Sequence, residues 1–415
     1  MTHRAHPAAP PSSRPPASSP SPPTAGSPSP PPARTPGPPS ASSPSSSPTA
    51  ASTAQFLPAP GRPGRSPDTP RRGPAARLSV VITVLVAFLL LAMTWAVTVG
   101  PASITLGQVG TSTWHHVCSA VVPGASCPAD PFTEVQEAIV WHGRGARVVA
   151  AAAVGAGLAV AGTVMQAVVR NPLADPYLLG VSSGASLGAV AVLVLGITVL
   201  LPVAAFVGAM GALLFTLLLA AGRGGGLPPV RTVLAGVAVG QACSALVSFV
   251  IFWSATGDSY REILSWLLGS FGGITWPEAL LATGGTVLLG GLLGARARVL
   301  DAFAFGDVSA ASLGVDVRRA RWFLLVVVTL LTAVLVSVSG AIGFVGLVVP
   351  HAVRLVLGSR NHRVLPVAAL VGAIFLLLAD TTARSLFDPR ELPVGIITAA
   401  IGAPVFAGLL RRSRL

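Results

Sequence analysis

The stretch that decides the fold reads Gly162-Thr163-Val164-Met165-Gln166-Ala167-Val168-Val169-Arg170-Asn171-Pro172-Leu173-Ala174-Asp175-Pro176-Tyr177-Leu178-Leu179-Gly180-Val181-Ser182-Ser183-Gly184-Ala185-Ser186-Leu187-Gly188. An apolar run ends in a polar knot, and a second apolar run opens a few residues later. Pro172 and Pro176 lack an N–H, and each disfavours helix in the residue before it. The stretch is therefore a turn between two helices. Arg170, Asn171 and Asp175 are among the few polar groups of a very apolar region. The Ser/Gly run that follows lets the second helix approach its neighbours closely, as small residues do inside membranes.

Composition extends this reading to the whole chain. Of 415 residues, 52% are hydrophobic and only 10% are charged. A soluble domain carries roughly 25% charged residues, so the expected class is an all-α polytopic membrane protein. Apolar runs bounded by charges predict about ten transmembrane helices, near residues 78–99, 147–169, 177–196, 199–221, 232–253, 277–293, 322–339, 346–357, 364–383 and 394–410. The run 346–357 is short for a straight crossing. Gly340, Gly343, Gly346 and Pro350 suggest a broken helix there, which is tolerated where protein covers the backbone. Residues 1–76 are rich in Pro, Ser and Ala without apolar periodicity and read as a disordered cytoplasmic tail, leaving 77–415 as the transmembrane domain. Arg71-Arg72 resembles a twin-arginine signal, but the apolar run behind it is long enough to span.

The formal net charge is +13, and all of the Lys+Arg content is Arg. Arg accumulates in cytoplasmic flanks by the positive-inside rule, which explains the charge without nucleic acid. The flanks holding Arg170, Arg231, Arg296, Arg298, Arg318, Arg319 and Arg321 then lie inside, with both termini. Arg144, Arg147, Arg261 and Arg384 fall outside, beside Asp130, Glu134, Glu137 and Glu391. Residues 100–146 read as a polar outer loop. Cys118 and Cys127 lie in it around Pro123 and Gly124, and a disulfide is expected in an oxidising compartment, with two free thiols as the alternative. Adjacent histidines rarely point at one ion, so His115-His116 is not read as a metal site, and no metal or cofactor is expected. Lys is absent, so no phosphate-binding Gly-x-x-x-x-Gly-Lys loop exists and the chain does not hydrolyse ATP. Asp380 is the one acid well inside an apolar span. It serves either a structural hydrogen bond or proton coupling in a secondary transporter.

Three blocks of this chain resemble the FecCD-type permease subunits of ABC importers, which carry iron–siderophore complexes, haem and cobalamin. The first holds Gly162, Gln166, Asn171-Pro172-Leu173-Ala174, Pro176, Leu179-Gly180 and Gly184-Ala185. The second runs from Gly340 to His351, with Arg354. The third holds Leu378-Ala379-Asp380, Arg384, Glu391-Leu392-Pro393-Val394-Gly395 and Gly402–Phe406. The resemblance implies a cytoplasmic gate at Asn171 and Leu173 and in the 222–231 loop, with Pro229 and Val230, where Pro228-Pro229-Val230 occupies a place at which small hydroxyl residues can occur in the family. It also implies an ATPase-coupling helix at Gly306, Asp307, Ser309, Ala310, Leu313 and Gly314, whose Leu-Gly end is a helix stop. Arg144, Arg147 and Arg384 would dock an extracytoplasmic substrate-binding protein. Ala146 stands where the family has proline in an Arg-x-Pro-Arg element. The implied partners are cytoplasmic ATP-binding subunits, the binding protein and a second permease subunit, in the cell membrane. The expected cargo is an iron–siderophore complex, with cobalamin or haem as the alternative. A membrane enzyme is disfavoured because no catalytic set stands out.

Overall fold

In the computed structural model, the described residues are 74–100, 104–121, 127–197, 200–221, 226–254, 257–387 and 390–412. Almost all of the expected N-terminal tail lies outside them. Residues Thr69–Leu415 form one compact unit. Among the described residues there is no strand.

The chain opens with α1 (Pro74–Thr98), which leaves Leu90 and Leu91 exposed as lipid-facing side chains would be. The supposed outer loop is largely helical. It holds α2 (Leu106–Val121), the short α3 (Glu134–Glu137) and a π-helical segment, Ala138–Gly145. Local capping explains what hydropathy missed. Gln108 Oε1 accepts from Thr105 N while Thr105 Oγ1 accepts from Gln108 N, and Thr133 and Gln136 repeat the arrangement. Reciprocal caps satisfy the orphan N–H groups at a helix start.

The bundle is built around α4 (Ala146–Val169), an Ala/Gly-rich helix that is buried along most of its length. It ends at Arg170, whose left-handed φ of 57° closes the last turn, and the two prolines begin the predicted break. The expected 177–196 span divides at Gly180 (φ 76°) into a 3-10 turn, Pro176–Leu179, and α5 (Val181–Val194). Then come α6 (Leu201–Ala220), α7 (Pro229–Ser254) and α8 (Gly257–Leu267), the last not among the expected elements. After α9 (Trp276–Ala295), two short helices, α10 (Ala297–Phe303) and α11 (Asp307–Ser312), lead into α12 (Val317–Ser339). The expected broken crossing is α13 (Val345–Leu357), only 13 residues long, entered through Phe344 at φ 70° and containing Pro350. The chain closes with α14 (Asn361–Ser385) and α15 (Val394–Arg412).

Among the described residues, 7 helices are long and apolar enough to span a membrane. The shorter apolar helices Val181–Val194, Val345–Leu357 and Val394–Leu409 bring the total near the expected number. Small residues set the spacing around α4. A Cβ at Gly162 would collide with the Gly346 carbonyl of α13, and one at Gly155 with the Gly372 carbonyl of α14. Such contacts replace the missing hydrophobic drive between helices in lipid with close van der Waals packing.

Candidate functional site

The 24 residues of α4 separate two clusters of charge by about 36 Å at 1.5 Å per residue. At its C-terminal end lies the polar knot. Asn171 Oδ1 accepts from Leu173 N at 2.9 Å and holds the turn in an Asx conformation. Asp175 caps the 3-10 turn through Tyr177 N, and burial pushes its carboxyl up to about 6 despite that donor. Asn171 and Leu173 are exposed, Pro229 is half-buried and Val230 is exposed at the start of α7. A cavity of about 260 Å³ lies between the knot and α7, lined in part by Asp175, Ser183, Gly240, Gln241 and Ser244.

The same end carries α11. Gly306, at φ 91°, turns the chain into it, and Gly314, at φ 83°, lets it leave. Ala310 is fully buried and seats the helix. Ser309 is half-buried. Phe305, Val308 and Leu313 are exposed by 73%, 86% and 67%, an apolar edge without cover in the single chain. Asp307 joins this helix to the rest of the end. Its Oδ1 lies 2.7 Å from the Arg321 guanidinium of α12 and 3.8 Å from that of Arg170. Arg321 also donates to the Leu227 carbonyl just before α7 at 3.5 Å. One carboxylate thus ties α11 to the end of α4 and, through Arg321, to the entry of α7. Sequence reading placed each of these segments, but not this junction, because Arg170 is far from Asp307 and Arg321 in the chain.

At the other end, Arg147 meets Asp380 from α14. Nε lies 2.9 Å from Oδ2 and Nη2 2.9 Å from Oδ1, and Nη1 reaches Glu391 at 2.7 Å. Only 1% of the Asp380 side chain is exposed, against 51% for Glu391. Arg144 is buried and donates to the Val97 carbonyl at 3.0 Å. Arg384 is half-buried and donates to the Ala96 carbonyl. The three arginines and Glu391 share a cavity of about 370 Å³ with His142 and Gly100. The three arginines expected to dock a partner are thus also held from within the bundle. Arg144, Arg147 and Arg384 all have internal partners, because a guanidinium at the edge of an apolar bundle is costly unless it is paired or hydrogen-bonded. For Asp380, the structural alternative finds a concrete partner in Arg147.

Cys118 of α2 and Cys127 are joined by a disulfide. The two histidines part company nearby. His115 Nδ1 lies 2.6 Å from the Pro128 carbonyl, whereas His116 Nε2 faces Asp130 and Glu137. That grouping escaped the sequence, since its members come from three different elements.

Comparison with known proteins agrees with the geometry. The model of the FecCD transport family matches residues 78–412. The cobalamin import system permease BtuC of Halobacterium salinarum is 41% identical over 353 residues, covering 79% of this chain and 93% of that protein. The vitamin B12 import system permease BtuC of Escherichia coli is 43% identical over 289 residues, covering 69% and 88%. A solved chain of a metal-chelate type ABC transporter in an inward-facing conformation aligns with a TM-score of 0.69 and 30% identity, covering 80% of this chain and 99% of that one. With the helical bundle, the α11 insertion and this match across the whole membrane region, the chain belongs to the FecCD transport family and is a multi-pass permease subunit of an ABC importer.

Proposed function

We propose that this chain forms the translocation path for a corrinoid of the cobalamin class. The observation that carries this reading is the identity of 41% and 43% to permeases described as cobalamin and vitamin B12 importers, over most of their length. It replaces the iron–siderophore cargo as the favoured substrate. Ferric siderophore and haem are the competing cargoes, and the likeness to a metal-chelate type transporter keeps them in the test.

In this reading both termini are cytoplasmic and two copies surround the path. The partners are two ATP-binding subunits at the α11 end and a substrate-binding protein at the Asp380 end. Asn171 and Leu173, with Pro229 and Val230 across from them, form the cytoplasmic gate. A ring of one polar and one apolar side chain closes a pore by sterics and dewetting. Gly306, Asp307, Ser309, Ala310, Leu313 and Gly314 form the coupling helix. Its exposed Phe305, Val308 and Leu313 supply apolar anchors for the ATPase groove. Movement of α11 reaches the gate through Asp307, since Arg170 precedes Asn171 and Arg321 holds the Leu227 carbonyl ahead of Pro229. At the opposite end, Arg384 and the exposed Glu391 meet the binding protein. Arg144 and Arg147 act from behind, as positioning residues.

The deciding experiment is reconstitution in liposomes with candidate ATPase and binding-protein partners. ATP-dependent uptake of labelled cyanocobalamin, above that of ferric siderophore and haem, is the expected result. Uptake of ferric siderophore or haem with no cyanocobalamin uptake would overturn it.

A further inference from the structure

We propose that His116, Asp130 and Glu137 form a binding site for a divalent transition cation of the zinc class, at the end of the bundle that carries Arg147 and Asp380. Their ligand atoms all lie within 4.8 Å of one another. His116 Nε2 is 3.5 Å from Asp130 Oδ2 and 3.7 Å from Glu137 Oε1. These spacings are long for charge-assisted hydrogen bonds, which run about 2.7–2.9 Å. They match the edge of a tetrahedron around one ion: two ligands each about 2.1 Å from a metal stand about 3.4 Å apart. His116 Nε2 is shut off from solvent and makes no hydrogen bond. A buried polar nitrogen left unmated is costly, and an ion between it and the two carboxylates would satisfy it.

The surroundings are ordered as a ligand set requires. The His116 ring packs edge-on against Trp141, with centroids 4.5 Å apart. Ser112, one turn before His116 on α2 and fully buried, donates to Asp130 Oδ2 at 2.9 Å. Trp141 Nε1 in turn donates to Ser112 Oγ at 3.0 Å. Asp130 Oδ1 accepts from Phe132 N at 3.0 Å, which fixes the other carboxylate oxygen. The Cys118–Cys127 disulfide ties α2 to the segment bearing Asp130, so two of the three ligands are held together before any ion arrives. Glu137, with 43% of its side chain exposed, settles onto the metal, as does His116 at 38%. One imidazole and two carboxylates suit zinc-class ions, whereas calcium and magnesium prefer oxygen alone. Water would complete the coordination, and the ion would fasten α2 to the helical segment that leads into α4.

The test uses the untagged full chain, purified in detergent with its disulfide intact and stripped by chelator. It is titrated with Co²⁺ by absorption spectroscopy and with Zn²⁺ by calorimetry. One ion per chain is expected, with Co²⁺ bands in the visible. H116A and E137Q should each weaken binding by at least about tenfold, and S112A by roughly tenfold through loss of the outer hydrogen bond. H115A should bind like the parent. A mass spectrum showing the Cys118–Cys127 bond in each variant checks that this segment has folded, and E137Q alters a side chain that is 43% exposed. Absence of stoichiometric binding to the parent chain overturns the proposal. So does affinity equal to the parent's in H116A and E137Q, which would place the ion elsewhere.

Discussion

The two ends of α4 are built from the same chemical parts and behave differently. At one end Arg147 grips Asp380, whose side chain is 1% exposed. At the other, Asp307 stands between Arg321 and Arg170 with 40% of its side chain open to solvent. A buried charge has no water to fall back on, so losing its partner is severe. The Asp307–Arg170 pair, 40% and 43% exposed, exchanges its partner for water at little cost, while Arg321 behind it is only 7% exposed. The first arrangement suits a fixed joint between α4 and α14. The second suits a contact that must change when α11 is pushed.

The largest effect that would break this contrast is expected at Asp380. Replacing it with Ala leaves the Arg147 guanidinium with only the half-exposed Glu391 and should cost about 3 kcal/mol, seen as a large loss in thermal stability of the detergent-solubilised permease. The double variant R147A/D380A should be less damaging than D380A alone. If D380A unfolds at the temperature of the parent, the pair is not the fixed joint described. Next comes the packing that places both ends. Gly162→Val puts a branched side chain against the Gly346 carbonyl and should cost about 1–3 kcal/mol or more through overpacking. A smaller loss than for Ala161→Val, on the same buried helix, would argue against close approach at Gly162.

Smaller effects on stability carry more information about transport. Leu313→Asp places a charge on the exposed edge of α11. Membrane insertion and stability should be unchanged, while co-purification of the ATP-binding subunit falls by roughly tenfold or more, as for loss of an interface anchor. Undiminished co-purification would remove α11 from the interface. A modest stability change, about 1 kcal/mol, is expected for Asp307→Asn, which keeps an acceptor for the buried Arg321 guanidinium and loses a solvent-screened contact to Arg170. If Asp307 links α11 to the gate, this variant should still bind the ATPase and hydrolyse ATP while transport drops. Transport and hydrolysis falling in proportion would mean that Asp307 does not act as the link.

Much of this was legible in the chain. Hydropathy located the long spans, and Pro172 with Pro176 located the break after α4, because neither signal needs a partner. The motif blocks around Asn171, Gly340 and Asp380 pointed to the family. The polar segment before α4 was misread as a loop, since its helices are short and held by local caps and a disulfide. Periodicity over a long window does not register such elements.

What the sequence by itself determined is an all-α membrane bundle of importer-permease type, because apolar length, missing donors and small residues act locally along the chain. What only the tertiary structure decided is which charges meet. Arg147 and Asp380, and Arg170 and Asp307, lie far apart in sequence. Their energies depend on burial, which the folded bundle alone sets: the same kind of ion pair is a fixed joint where water is excluded and a movable contact where water enters.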